Sequence, residues 1–139
     1  GGFHPAIAES MQTSSKFGDL KTNQDYRDRL LRRADLRQAV MKVMADNNLD
    51  AILYPHQKRL VVPVGEEQVE RNGVLSNSTG FPSVTFQGGF SRPTKSAPIG
   101  VPIGIELLGP EWSEAKLLSY AYAFEQATQH RRPPQLKAD

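Results

Sequence analysis

The chain contains no cysteine among its 139 residues. Disulfide scaffolds, thiolate zinc sites and a cysteine nucleophile are therefore excluded. Its three histidines, His4, His56 and His130, are far apart in the sequence, and no two of them have the spacing of metal ligands. We therefore expect no metal site. The absence of cysteine fits a reducing compartment, and we expect the protein to be cytoplasmic.

Long hydrophobic runs and a strong excess of charge are also absent. The longest apolar stretches, such as residues 51–54, are far shorter than the roughly 20 residues that cross a bilayer, and the N-terminus has no signal-peptide pattern. The 17 Lys and Arg residues exceed the 15 Asp and Glu residues only slightly, for a net charge of +2. The sequence therefore indicates neither a membrane nor a nucleic acid as a partner.

Length and composition predict one domain with its own core. A chain of 139 residues lies within the roughly 100–200 residues of a typical domain. We treat residues 1–139 as a single domain, with an irregular lead-in at 1–21 that holds at most a short helix near 6–11, and a tail at 134–139. Because the chain begins with Gly-Gly-Phe instead of Met, we expect it to begin partway through a longer protein.

Two helices are predicted. Thr22 and Asp25 have the spacing of a capping box, and apolar residues at helical intervals continue this first helix to about Asp46. The second helix follows Ser113 as its cap, and basic residues 130–132 and Pro133-Pro134 mark its end. Its apolar face consists of Leu117, Leu118, Ala121, Phe124 and Thr128.

Three strands are predicted between these helices. Residues 50–55, with the sequence DAILYP, are a nearly continuous apolar run, which is typical of a strand buried on both faces in a parallel sheet. Residues 56–72 are polar and indicate a loop. Residues 73–110 contain seven glycines, five prolines and only three charged residues, and this segment predicts buried strands at about 83–87 and 102–108. The order of elements indicates an α/β fold.

The residues offer few candidates for chemistry of their own. Ser14 and Ser15 precede Lys16 directly, and neighbouring side chains in regular structure point apart, so a polar loop is the better interpretation than a nucleophile with its base. The arginine-rich helix at residues 27–37 could face phosphate, but aspartates alternate with the arginines and favour a solvated face.

Two motifs in the charge-poor segment carry a family resemblance. Asn77-Ser-Thr-Gly80-Phe-Pro82 forms an N-x-x-G-x-P turn, and residues 100–110 read GVPIGIELLGP. Together they resemble the C-terminal part of the amidase signature family, and the preceding helix and strand occur in the family's order. The resemblance covers about residues 22–133. It implies that these strands belong to a large mixed β-sheet flanked by helices.

The same resemblance implies a function for the parent protein. Members of this family hydrolyse an amide C–N bond to a carboxylate plus an amine or ammonia through a serine acyl-enzyme, with a second serine and a lysine as proton-transfer groups and no cofactor. Those catalytic residues belong upstream of the matched motifs, so we assign no catalytic residue in this chain. We expect His56, Asn77, Phe81 and Gln87 to line the binding pocket for a small amide substrate.

Several partners and alternatives follow from this interpretation. A sheet that is only partly represented is expected to bind the remainder of the amidase polypeptide or to self-associate. The alternative, from another class, is a non-catalytic binding or assembly module that keeps the amidase C-terminal fold. A third hypothesis, a nucleic-acid binder that uses the helix at residues 27–37, is weaker and predicts steeply salt-dependent binding.

Overall fold

The computed structural model describes residues 2–133, so the predicted tail at residues 134–139 lies outside the described residues. Over these residues the chain forms an α/β fold, as predicted. The elements in chain order are α1 (Pro5–Ser15), α2 (Gln24–Asp46), β1 (Ile52–Pro55), α3 (Leu75–Thr79), β2 (Ser83–Phe90), β3 (Pro102–Leu108) and α4 (Glu114–Thr128).

The three strands form one sheet in the order β1-β3-β2, with both neighbours of β3 antiparallel to it. In this register Glu106 of β3 lies between Tyr54 of β1 and Thr85 of β2. The prediction of a parallel-type strand buried on both faces at residues 50–55 was therefore wrong. β1 is an antiparallel edge strand of four residues in the described sheet, and its Leu53 is 59% exposed because only one face of the strand packs on a core.

The sheet lies between helices on its two faces. On one face, Leu108 packs in a buried cluster with Val40 and Met44 of α2 and with Phe81. On the other face, Phe86 of β2 packs against Phe124 of α4, with 5.1 Å between the ring centroids. The alternation of side chains along antiparallel strands places these two contacts on opposite faces. The layers are therefore helix, sheet and helix.

The N-terminal part of the chain differs from its prediction in two respects. Residues 5–15 form a helix that is longer than the short helix expected near residues 6–11 of an otherwise irregular lead-in. Pro5 stands at its first position, where a missing N–H costs nothing. The cap of α2 is Asn23, whose side-chain oxygen accepts a hydrogen bond from the Tyr26 N–H at 3.0 Å. Thr22 instead donates its hydroxyl hydrogen to Asp19 O at 3.1 Å, so the predicted capping box was wrong. α2 ends at Asp46, as predicted.

The C-terminal helix ends earlier than the prolines predict. α4 stops at Thr128 because Gln129 adopts a left-handed conformation with φ 47°, so the basic residues 130–132 lie beyond the helix. Ser113 does precede α4, but its hydroxyl donates to Pro110 O at 2.6 Å and does not cap the helix. Leu118 was predicted on the apolar face and is 60% exposed, whereas Leu117 is buried.

Two arginines of α2 bind the end of α3, a short helix that the sequence did not predict. Arg33 donates from Nε to Ser78 O at 3.0 Å, and Arg37 donates to Thr79 O while its guanidinium lies 4.8 Å from the Phe81 ring centroid. Gly80 follows with φ 73°, a left-handed conformation that favours glycine and turns the chain into β2. These arginines therefore hold the N-x-x-G-x-P turn in place, and the prediction of a wholly solvated arginine face was wrong.

Candidate functional site

A histidine–carboxylate pair occupies the middle of the sheet. His56 Nδ1 lies 2.7 Å from Glu106 Oε2, and the hydrogen bond joins the first residue after β1 to the centre of β3. The Glu106 side chain is 2% exposed, whereas that of His56 is 40% exposed. A buried carboxylate thus fixes the orientation of an imidazole that remains accessible.

The backbone around His56 explains why its ring is held so firmly. The His56 N–H donates to Gly104 O at 3.2 Å, and His56 O accepts from the N–H groups of Asn72 and Gly73. The ring packs directly on Gly73, where a Cβ atom would lie 2.1 Å from His56 Cε1. Only glycine at residue 73 therefore allows the imidazole to reach Glu106 in this position.

The electrostatics of the pair follow from burial and hydrogen bonding. Burial alone would raise the pKa of Glu106, but hydrogen bonds, led by the one with His56, outweigh it and lower that pKa. The pKa of the neighbouring Tyr54 is raised, first by burial and then by the Glu106 carboxylate. The site therefore contains a carboxylate that stays ionised beside a phenol that stays neutral.

Two cavities share the first residues of β3 as a common wall. The larger, of about 460 Å³, lies between β3 and the loop after β1, and it is lined by Gln57, Lys58, Arg59, Leu60, Val61, Gln68, Pro102, Ile103 and Gly104. The other, of about 360 Å³, lies on the β2 side and includes Gln87 and Arg131 in its lining. Pro102, Ile103 and Gly104 line both cavities.

The structure separates the four predicted pocket residues into two pairs. His56 and Gln87 lie on either side of Gly104, because the His56 N–H bonds to Gly104 O and Gln87 is the register partner of Gly104 in β2. Asn77 and Phe81 lie before the start of β2, at the opposite end of the sheet, and Phe81 is only 4% exposed within the core. A role for any of the four in substrate binding stays a prediction.

Glu106 was not among the site residues predicted from the sequence. The sequence does contain a feature that could have identified it, because Glu106 is the only carboxylate in residues 73–110 and falls inside a predicted buried strand. A buried carboxylate requires a hydrogen-bonding or charged partner. The partner could not be identified, because the pairing of β1 with β3 is not evident from either strand alone.

Replacing Gly73 by alanine is expected to displace the His56 ring from Glu106 and to lower the free energy of unfolding by about 1 kcal/mol. The matched control is Gly104→Ala, because a Cβ atom there meets only Thr85 Cγ2 at an ordinary 3.4 Å. Urea unfolding and the chemical shifts of the His56 ring measure both effects; an unmoved ring in Gly73→Ala contradicts the assignment.

Two classes of feature are not found in the part of the chain that the structure describes. Over residues 2–133, no helix combines the length and the apolar character needed to cross a bilayer. Within the same residues, no group of three or more His, Asp or Glu side chains is arranged to hold a metal ion.

Comparison with curated proteins gives matches to amidases and to amidotransferase subunits, although no family model matches the chain. A glutamyl-tRNA(Gln) amidotransferase subunit from Moorella thermoacetica is 44% identical over 61 residues, which is 43% of this chain and 11% of that protein. A probable amidase of Arabidopsis thaliana is 32% identical over 98 residues, or 70% of this chain and 17% of the amidase. The corresponding amidotransferase subunit from Oceanobacillus iheyensis matches 94% of this chain at 28% identity, and this covers 28% of its own length. The chain therefore spans less than a third of the length of these relatives.

Solved structures give the same fold. The chain superposes on the crystal structure of an amidase with a TM-score of 0.68 and 24% identity, covering 91% of this chain and 29% of the amidase. It superposes on PAM12A with a TM-score of 0.61 and 29% identity, covering 81% of this chain and 22% of PAM12A. Sequence identity with amidases and amidotransferase subunits, together with the shared sheet and flanking helices, shows that this chain belongs to the amidase signature family.

Proposed function

We propose that this chain forms the C-terminal part of an amidase, which hydrolyses an amide C–N bond to a carboxylate plus an amine or ammonia. The observation that carries the proposal is the extent of similarity, because two of these relatives, one of them a probable amidase, match 70% and 94% of this chain. The matched segment is 28% or less of the length of these relatives. We therefore assign the catalytic serines and lysine to sequence outside the segment matched here.

The geometry of Ser15, the last residue of α1, is consistent with this assignment. Ser15 donates its hydroxyl hydrogen to Gln12 O at 2.8 Å, which is a local helix contact and not the contact of an activated nucleophile. In the proposed reaction a serine outside this chain attacks the amide carbonyl, the amine leaves with a proton, and water then hydrolyses the acyl-enzyme. The reaction needs no cofactor. The contribution of this chain is part of the sheet and a pocket wall that includes His56 and Gln87.

The edges of the sheet support a partner for this chain. β1 and β2 each pair on one side only among the described strands, so each offers unpaired backbone groups to another strand. We propose that the remainder of an amidase polypeptide covers these edges, and that the chain self-associates when that polypeptide is missing. The absence of cysteine is compatible with a reducing compartment, and we propose that the protein acts in the cytoplasm.

A chimera tests the proposed function. Residues 23–133 replace the aligned C-terminal segment of an amidase relative that releases ammonia from simple primary amides. We expect the chimera to retain hydrolysis within about tenfold of the relative, because this segment supplies structure and a pocket wall rather than the nucleophile. Ammonia release is the measurement, and a serine-directed acylating reagent should label the relative's serine.

The control for this experiment is the same chimera with Leu108→Asp, which places a charge in the core and should abolish both folding and hydrolysis. A well-folded chimera that binds amides but hydrolyses none would contradict the proposal. That outcome would favour the alternative, a non-catalytic binding or assembly module with the amidase C-terminal fold.

A further inference from the structure

The wall of the larger cavity is a loop that folds back on itself. Gln57 forms an isolated antiparallel bridge with Arg71, and the Lys58 N–H donates to Glu70 O at 3.0 Å. Further along the loop, the Val62 N–H donates to the side-chain oxygen of Gln68 at 3.1 Å. The hydrogen bond from His56 to Gly104 holds the start of this loop against β3. The cavity is therefore formed before any molecule enters it, which reduces the entropy lost on binding.

The lining of this cavity combines two cations with an apolar surface. Lys58 and Arg59 are its charged residues, and no carboxylate of the described residues lines it. Among residues 2–133, the Lys58 ammonium forms no ion pair, and the Arg59 guanidinium has only a long contact of 4.0 Å with Glu70. The remaining surface is largely hydrocarbon, contributed by Leu60, Val61, Pro102 and Ile103. A molecule that complements this lining has an anionic group at one end and a short apolar body.

A third feature adds a hydrogen-bond requirement. The side-chain oxygen of Gln57 is buried and has no hydrogen-bond partner within the described residues, although Gln57 lines the cavity. A buried acceptor without a donor is destabilising, and an N–H group from a bound molecule removes that cost. A volume of about 460 Å³ is in the usual range for small-molecule sites.

We propose that this cavity binds amides that carry a free carboxylate. The carboxylate pairs with Lys58 and Arg59, and an amide N–H donates to the Gln57 side-chain oxygen. The hydrocarbon between these two groups packs on Leu60 and Ile103. This proposal names the substrate class of the proposed amidase. Binding of the amide does not depend on the proposed function, whereas its hydrolysis does.

Binding of two small probes to the 139-residue chain tests the site directly. Succinamate carries a primary amide and a carboxylate, whereas butyramide carries the amide alone. In an NMR titration we expect succinamate to shift the backbone amides of residues 57–59 and Gly104, and to bind at least about tenfold more tightly than butyramide, as charge-assisted hydrogen bonds are stronger than neutral contacts.

Two double variants with the same change in charge distinguish the effect of charges at the cavity from that of the overall electrostatic field of the protein. Lys58→Met with Arg59→Met should remove the preference for succinamate and leave butyramide binding intact. Arg92→Met with Lys95→Met removes two cations that do not line the cavity, and it should change neither affinity. Gln57→Leu should weaken both probes. Spectra with native dispersion verify that each variant is folded.

Equal affinities for the two probes, or shifts centred on residues 85–87 of the other cavity, would overturn the proposal. So would a preference for succinamate that survives loss of Lys58 and Arg59. The chimera experiment is independent of this one. Selective binding without hydrolysis by the chimera overturns the amidase function and leaves the site, whereas hydrolysis without selective binding overturns the site alone.

Discussion

Replacement of Leu108 by alanine is expected to lower the free energy of unfolding by about 2–5 kcal/mol. Leu108 is 0% exposed and packs with Val40, Met44 and Phe81, so it joins α2 to the sheet. Removing its branched end leaves a cavity that three separate elements would have to close. Urea unfolding followed by circular dichroism measures the change, with an unchanged slope on denaturant confirming that the unfolded state is unaffected.

The matched control is Leu118→Ala in α4. Leu118 is 60% exposed, and the same chemical change there should cost no more than about 0.5 kcal/mol. Similar losses in the two variants would show that Leu108 is not the centre of the core, and the arrangement of α2 on the sheet would then be wrong.

Glu106→Gln is expected to lower the free energy of unfolding by about 2 kcal/mol at pH 7. The same substitution should make the free energy of unfolding less dependent on pH in the acidic range. The pKa of Glu106 is lowered in the folded protein, because hydrogen bonds, above all that with His56, outweigh the opposing effect of burial. A carboxyl group with a lowered folded pKa stabilises the fold above its ordinary value of 4.5. That stabilisation is lost as the pH falls below this value and through the folded pKa.

The free energy of unfolding of the wild type and of Glu106→Gln is measured between pH 7 and pH 3. The wild type should lose more stability than the variant over that range. Asp50→Asn is the control, since hydrogen bonds from Lys116 and Tyr120 lower the pKa of Asp50 as well. Asp50 is exposed, so its contribution should be smaller and sensitive to salt. Parallel curves for the wild type and Glu106→Gln would mean that the His56–Glu106 pair does not stabilise the fold.

Local sequence patterns were sufficient for several elements. The strand at Pro102–Leu108 and the start of β2 at Ser83 follow from short apolar runs bounded by glycine and proline, and α2 ends at Asp46 as predicted. β2 continues to Phe90, beyond its predicted end at residue 87. The end of α4 was misplaced, because a left-handed Gln129 stops the helix before the prolines are reached. A helix that ends at a residue other than glycine or proline gives no clear signal in the sequence, so its end cannot be predicted.

The site required information that no local pattern contains. His56 was a candidate from the sequence, but its partner Glu106 is 50 positions away and meets it only because β1 and β3 pair in one register. A run of four apolar residues predicts a strand without saying which strand it joins or in which direction. The cavity beside Lys58 likewise depends on hydrogen bonds that bring residue 58 next to residue 70.

The central position of β3 also determines the order in which the sheet can assemble during synthesis. β2 and β3 are separated by one short connection, whereas β1 leaves the ribosome before the whole chain between Pro55 and Pro102 has been made. Closing that longer loop costs more entropy, so we expect the β2–β3 hairpin to form first and to present the edge that β1 later joins. Until β3 has been made, β1 lacks the strand that it pairs with in the folded chain, so we expect its apolar side chains to be most prone to aggregation in this interval.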